Sequence, residues 1–253
     1  MERQEERVLR EREIYNQGLD RGWYNALFSH SSALTAERSV ELFRSVVLDP
    51  SVERVLEFGS TGWQGLVAPG LTFPPEFHCI NISEAEIEKG EIQAREQGLD
   101  IRFHLMDAHA LEFPDDYFDV VYGFGILHHL NYEQALKEIH RVLKPTGKMI
   151  FNEPLDMNPV AQLVRAATPR ARTVDEEPIR YRHLPLFKKY FDVKFNVYEL
   201  TSVPVGVMTY AVGMPKGNSV VKAAFDLDGL ISRLPGVRFW FRKVIVEGTK
   251  KAL

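Results

Sequence analysis

From residue 53 onward the chain alternates short apolar runs with stretches whose apolar residues recur every three or four positions. That alternation predicts βαβ units wound around a parallel sheet. The apolar runs are Arg54 to Phe58, Phe77 to Ile82, Ile101 to Met106, Phe118 to Gly123 and Lys148 to Asn152. Between them, Ser83 followed by Glu86 reads as a capping box opening a helix to about Gln97, and Asn131 with Gln134 opens another. In that second helix Tyr132, Ala135, Leu136, Ile139 and Leu143 fall on one face. After residue 154 the alternation loosens, and Pro154, Pro159, Pro169 and Pro178 punctuate short helices that end near Tyr190. A strand is expected at Val193 to Tyr198, then an apolar passage broken by Pro and Gly from Val203 to Met214, a helix to about Ser232, and a last strand from Val237 to Val246. Ahead of the sheet, residues 2 to 14 alternate acid and base with Glu6 four positions before Arg10, as on an exposed helix. Tyr15, Trp23, Tyr24, Leu27 and Phe28 form an aromatic patch, and Thr35 to Leu48 is helical in pattern. These segments predict an α/β chain with a doubly wound, mostly parallel sheet, organised as one domain over residues 1–253. A helical cap occupies 1–50, a ligand-binding core 51–154, and substrate-side insertions with the last strands 155–253.

Composition narrows the partners more than the fold. At 253 residues, 45% hydrophobic and 26% charged, the chain can bury a sizeable core. A formal charge of -4 supplies no field that would gather a phosphate backbone, so nucleic acid is not an expected partner and small molecules are. The single cysteine, Cys79, lies in an apolar run and has no partner for an internal disulfide, which fits a reducing compartment and a packing role. No run approaches the roughly 18 apolar residues of a membrane span. The N-terminus mixes Glu and Arg where a secretory signal would be apolar. The expectation is a cytoplasmic, soluble protein with no membrane span, its N-terminal helix a candidate for self-association.

A parallel sheet with a glycine-rich turn after its first strand places ligand at the carboxyl ends of the strands. Gly59, Gly62 and Gly65 suit close backbone approach to either a dinucleotide or S-adenosylmethionine. The features that follow in order decide between them. Glu57-Phe58-Gly59-Ser60-Thr61-Gly62, Ile80-Asn81-Ile82-Ser83, Met106-Asp107-Ala108, Phe118 to Tyr122 with Leu127-His128-His129, and Arg141 to Gly147 together resemble the successive motifs of the class I S-adenosylmethionine-dependent methyltransferases. The small-molecule branch, of methyltransferase type 11, is the nearest in pattern. The resemblance covers about residues 53 to 154. It implies a seven-stranded, Rossmann-like methyltransferase fold with an N-terminal helical cap and inserted lid helices, and S-adenosyl-L-methionine as cofactor. Glu57, Gly59, Ser60, Thr61 and Gly62 would hold its methionine portion, Asn81 and Ile82 its ribose, and Asp107 with Ala108 its adenine, with Gly123 at the end of strand four. Two departures stand out. Thr61 replaces a glycine and Trp63 another, so Trp63 is expected to pack near the cofactor. Asn81 replaces the commoner acid, although its amide still offers a donor and an acceptor.

In methyl transfer the cofactor carries the reactive group and the protein supplies orientation and charge management. Candidate catalytic groups are His128 and His129 after strand four, Glu153 at the exit of strand five, and Tyr24 from the cap, with Tyr15 and His30 as further rim candidates. Histidine accepts a proton near neutral pH. His128 is preferred, because neighbours on a loop are not expected to point the same way. A metal is not expected: His183 is isolated, and the His128-His129 pair has no nearby Cys or carboxylate at ligand spacing. The acceptor is expected to be small and apolar or aromatic, held by the cap, the 156 to 182 insertion and the Val203 to Met214 passage. The atom that takes the methyl group is open. Two rival readings are a methyltransferase-like protein that catalyses another step such as a cyclisation, or only binds, and an NAD(P)-dependent dehydrogenase. For the latter, Tyr190 and Lys194 have the Tyr-x-x-x-Lys spacing, but Val193, Phe195 and Val197 alternate like a strand.

Overall fold

The structure, a computed structural model, describes residues 9, 13, 22–158, 162 and 176–252. Two helices, α1 (Gly22–Leu27) and α2 (Ser29–Val47), precede β1 (Arg54–Phe58), β2 (Glu76–Asn81), α3 (Glu84–Glu96), β3 (Ile101–Leu105) and β4 (Phe118–Phe124). Then come α4 (Tyr132–Val142), β5 (Leu143–Pro154), α5 (Leu184–Tyr190), β6 (Phe191–Tyr198), α6 (Ser202–Ala211), α7 (Ser219–Ile231) and β7 (Lys243–Lys250). The seven strands form one sheet in the order β3-β2-β1-β4-β5-β7-β6. β7 runs antiparallel to both β5 and β6, and the other described pairings are parallel.

Alternation along the strands builds two cores. Val55, Phe77, Cys79, Val120, Tyr122 and Ile150 pack with Phe43 and Val47 of α2, and Leu56, Phe58, Val121, Met149 and Phe151 pack with Leu136 and Ile139 of α4 on the other face. Because both faces are covered, the parallel strands read as unbroken apolar runs in the sequence. The strand order reverses between β1 and β4, whose ends are level at Phe58 and Gly123. A crevice opens above such a switch point, where neighbouring connections leave in opposite directions.

The sequence-based elements of the core recur with small shifts. Ser83 Oγ accepts the Glu86 N–H at 3.3 Å and Asn131 Oδ1 accepts the Gln134 N–H at 3.2 Å, so both helix starts are side-chain capped. Leu143 opens β5 instead of closing the α4 face, and Val142 takes the buried position. The Lys144 turn is scaffold: Lys144 Nζ lies 2.6 Å from Asp119, which accepts the Arg54 N–H at 2.9 Å at the amino end of the sheet.

Two expectations are corrected. The Val203 to Met214 passage, read as an apolar stretch broken by Pro and Gly ahead of a helix, is itself largely helix α6. The first turn of α6 is organised from α7 by buried Asp228, which accepts N–H bonds from Leu200, Thr201 and Ser202 at 3.0, 2.6 and 3.1 Å. A cap supplied from 26 residues away leaves no local signal. The last strand is Lys243–Lys250, while Arg238–Trp240 is a single 3-10 turn with Trp240 exposed and Phe241 buried behind it. The residue 2 to 14 helix, apart from residues 9 and 13, and Tyr15 lie outside the described residues, as do the side chains of Trp23 and Tyr24 and most of the expected lid. Among the described residues no helix is long and apolar enough to cross a membrane.

Candidate active site

β1 ends in a turn organised from below by its own carboxylate. Gly59 takes φ +114, a conformation side-chain-bearing residues rarely adopt, and its N–H donates to the Ile80 carbonyl at 2.9 Å. Buried Glu57 then accepts the N–H groups of Gly62 at 2.7 Å and Trp63 at 2.8 Å, together with the Tyr122 hydroxyl. Burial pushes its carboxyl up to about 7, against these hydrogen bonds, which pull it down. Helix α3 closes on the same turn. A Cβ at Gly90 would stand 2.6 Å from the Phe103 ring and 2.7 Å from the Ser60 carbonyl oxygen. Gly90→Ala is therefore expected to cost about 1–3 kcal/mol by overpacking. Urea denaturation will show it as a lower midpoint with an unchanged slope.

Above the turn lies a cavity of about 170 Å³ at the carboxyl ends of β1, β2 and β4. Of the expected cofactor residues, Gly59, Ser60, Thr61, Asn81, Ile82, Asp107 and Ala108 line it. Glu57, Gly62 and Gly123 do not: Glu57 and Gly62 bond to each other beneath the turn, and Gly123 sits within β4 against Ile126 and Phe151. Trp63 is not at the cavity either. Its ring is fully buried in the core and its Nε1–H donates to the Ser60 carbonyl at 3.0 Å, bracing the turn from behind.

Asn81 Nδ2–H donates to Ser60 Oγ at 3.0 Å, and Asn81 Oδ1 accepts the Ser83 N–H at 3.0 Å. The capping box is thus one-sided, since Asn81 takes the N–H that Glu86 was expected to reach. The Glu86 carboxylate stands at the cavity wall instead, 3.6 Å from Lys89. Sequence reasoning missed Glu86 because its spacing from Ser83 already explained it. It also missed His109, which lines the cavity and bridges Asp107 Oδ1 at 2.6 Å to the Asn131 N–H at 2.9 Å. Desolvation acts to raise the Asp107 carboxyl, but hydrogen bonds from the His109 ring and backbone outweigh it and hold the group below its ordinary value.

On the other side of the cavity the loop after β4 is gathered by Glu153. Its side chain is fully buried and accepts N–H bonds from Ile126 at 3.0 Å, Leu127 at 2.8 Å and His128 at 3.3 Å. The same carboxylate lies 2.7 Å from His128 Nδ1. A carboxylate there fixes the tautomer, with the proton on Nδ1 and the lone pair on Nε2. His129, not His128, lines the cavity, yet the two rings are only 4.1 Å apart. The preference for His128 as the ring facing the cavity is therefore corrected: His129 takes that place. The expectation of no nearby carboxylate is corrected too: a ligating atom of Glu176 lies within 4.8 Å of one from each histidine. No sequence spacing could show this, because Glu176 lies within the 156 to 182 insertion, far along the chain from the two histidines. His183 is not isolated, stacking on Tyr132 at 4.3 Å and lying 3.1 Å from Glu177. His30 is turned away into α6, with Nδ1 2.9 Å from Thr209 Oγ1.

Residues 56–151 match the family model described as a methyltransferase domain. Among sequence relatives the protein is 45% identical over 62 residues to a demethylmenaquinone methyltransferase of Thermus thermophilus, covering 24% of this chain and 28% of that one. It is 29% identical over 127 residues to a glycine/sarcosine/dimethylglycine N-methyltransferase of Actinopolyspora halophila, covering 49% of this chain and 22% of that one. Each match spans less than a third of the relative's own length. Among solved structures, geranyl diphosphate C-methyltransferase from Streptomyces coelicolor superposes with a TM-score of 0.59 at 13% identity, over 87% of this chain and 79% of that one.

Proposed function

We propose that this chain transfers a methyl group from S-adenosylmethionine to a small apolar or aromatic acceptor. The observation that carries this reading is the cavity at the switch point, which the Gly59 turn, Asn81, Glu86 and Asp107 line together. The donor set fits the cofactor's parts. The Gly59-Ser60-Thr61 backbone would approach the methionine portion, Asn81 and Glu86 the ribose hydroxyls, and Asp107 the adenine amino group, with Ile82 and Ala108 against the ring. Glu86 supplies a carboxylate on the side where position 81 has an amide. When bound, the cofactor supplies an activated sulfonium methyl group. The protein's contribution is position: well-oriented reactants gain on the order of 7–11 kcal/mol over free encounter.

His128, held by Glu153, would accept a proton from an acceptor that must lose one, with His129 orienting the acceptor at the cavity wall. Tyr24 would close that side from the cap. The likeness to a demethylmenaquinone methyltransferase supports an apolar or aromatic acceptor. We further read the protein as cytoplasmic, engaging a biosynthetic small molecule and not nucleic acid, with its oligomeric state open and its N-terminal helix a candidate for self-association.

Two measurements test this. Calorimetry should show S-adenosylhomocysteine binding and no NAD(H) binding, and labelled S-adenosylmethionine offered with a small-molecule extract should yield a labelled product. Failure to bind S-adenosylhomocysteine overturns the reading. Asp107→Ala is expected to weaken S-adenosylhomocysteine about ten- to a hundredfold, the range for a hydrogen bond to a charged group. An unchanged affinity removes Asp107 from the site.

A further inference from the structure

We propose that His128, His129 and Glu176 form a binding site for a divalent transition-metal cation, of which Zn²⁺ is the type, at the acceptor side of the cavity. One ligating atom from each of the three lies within 4.8 Å of the other two, and both imidazoles are buried. Small rotations of these side chains bring such atoms to the separations that three ligands about 2.0–2.2 Å from one ion require.

Three further features show that the site is built. The His128 ring has its Nδ1 2.7 Å from Glu153, a carboxylate itself fixed by three backbone N–H groups, which turns the Nε2 lone pair outward. A carboxylate behind a ligating imidazole is the usual outer support of a metal site, setting both tautomer and basicity. The segment carrying Glu176 is stitched against the histidine loop: the Glu177 N–H donates to the His128 carbonyl at 2.7 Å, and the Tyr132 hydroxyl donates to the Glu177 carbonyl at 3.0 Å. Two residues on, the Ile179 N–H donates to the Pro154 carbonyl at 3.0 Å, so Glu176 is anchored at the exit of β5.

The donor set selects the ion. Two imidazoles and one carboxylate suit zinc, cobalt, nickel or ferrous iron, and lack the all-oxygen shell that magnesium or calcium prefers. Three protein ligands leave at least one coordination position open, the pattern of sites that engage a ligand rather than only brace a fold. His129 belongs to the cavity wall, so the open position has the cavity as its neighbour. An acceptor oxygen or a water would fill it.

The test is zinc calorimetry on the full chain after chelator treatment, without S-adenosylmethionine. One Zn²⁺ per chain is expected, with affinity lowered tenfold or more in His129→Ala and Glu176→Gln and unchanged in His140→Gln. S-adenosylhomocysteine binding by Glu176→Gln, whose residue lies outside the cofactor cavity, reports that the variant is folded. Should that variant fail to fold, Co²⁺-loaded wild type decides: two hyperfine-shifted imidazole N–H proton resonances support the site, and none overturns it. Absence of stoichiometric zinc binding, or zinc affinity unaltered in Glu176→Gln, also overturns it. A protein that binds zinc but not S-adenosylhomocysteine refutes methyl transfer and leaves this site standing, and the reverse result does the opposite.

Discussion

Glu57→Ala is expected to destabilise the protein by about 4 kcal/mol, to lower the thermal midpoint by about 10 °C, and to weaken S-adenosylhomocysteine at least a hundredfold. The substitution strips the acceptor from three donors at once, the Gly62 and Trp63 N–H groups and the Tyr122 hydroxyl, where Glu57 and Tyr122 are wholly or almost wholly buried. Each donor left unpaired in such a place costs about 1–3 kcal/mol. The turn they hold is the floor of the cavity, so stability and cofactor affinity should fall together. Glu57→Gln keeps a carbonyl acceptor and should be milder, and it separates charge from hydrogen bonding. Burial lifts the folded-state carboxyl from near 4.5 to about 7, so between those values the folded protein holds a proton that the unfolded chain has released. The stability this contributes is fully present below about pH 4.5 and lost as pH rises through about 7. Urea denaturation should therefore show wild type losing ground relative to Glu57→Gln between pH 5.5 and pH 8. A constant difference across that range would sink the assignment of a protonated, buried Glu57.

What could be read from the sequence divides along the range of the interactions involved. The βαβ segments were legible because burial on both faces writes itself into unbroken apolar runs, and the caps at Ser83 and Asn131 because each acts within three residues. The cofactor side was legible as an ordered set of strand ends. Its inner division was not: nothing local separates Glu57, which braces the turn, from Thr61, which lines the cavity, because the difference lies in which way a buried side chain faces. Trp63 shows the same limit, since a large aromatic beside a glycine turn can face either ligand or core. The acceptor side depends on contacts over longer stretches of chain. Glu153 reaches back 25 to 27 residues to the loop after β4, Glu176 meets the histidines from within an insertion, and Asp228 caps a helix that lies before it in the chain. Such contacts are set by topology, and periodicity does not record them.

The second large effect is expected at Glu153, which repeats on β5 what Glu57 does on β1. Both are carboxylates on central strands, buried, and bonded to the backbone N–H groups of a loop at the carboxyl edge of the sheet. Glu57 shapes the cofactor's floor, whereas Glu153 fixes Ile126, Leu127 and His128 and orients the His128 ring. Glu153→Ala should therefore separate cofactor affinity from turnover. The Gly59 turn, Asn81 and Asp107 lie elsewhere on the cavity wall, so S-adenosylhomocysteine affinity should change less than about fivefold, within the 1 kcal/mol scale of one lost neutral contact. Turnover should fall a hundredfold or more, the contribution of a positioned proton acceptor. Because Glu153 acts through His128, it is a positioning residue, and its signature is a fall in kcat with little change in cofactor binding. Glu153→Asp offers the control. A shorter carboxylate keeps the charge but cannot span both the loop N–H groups and His128 Nδ1, so it should rescue folding stability more completely than turnover. If Glu153→Ala retains turnover within about tenfold of wild type, proton transfer through His128 is not what limits the reaction. The function of the β5 exit would then rest on holding the loop alone.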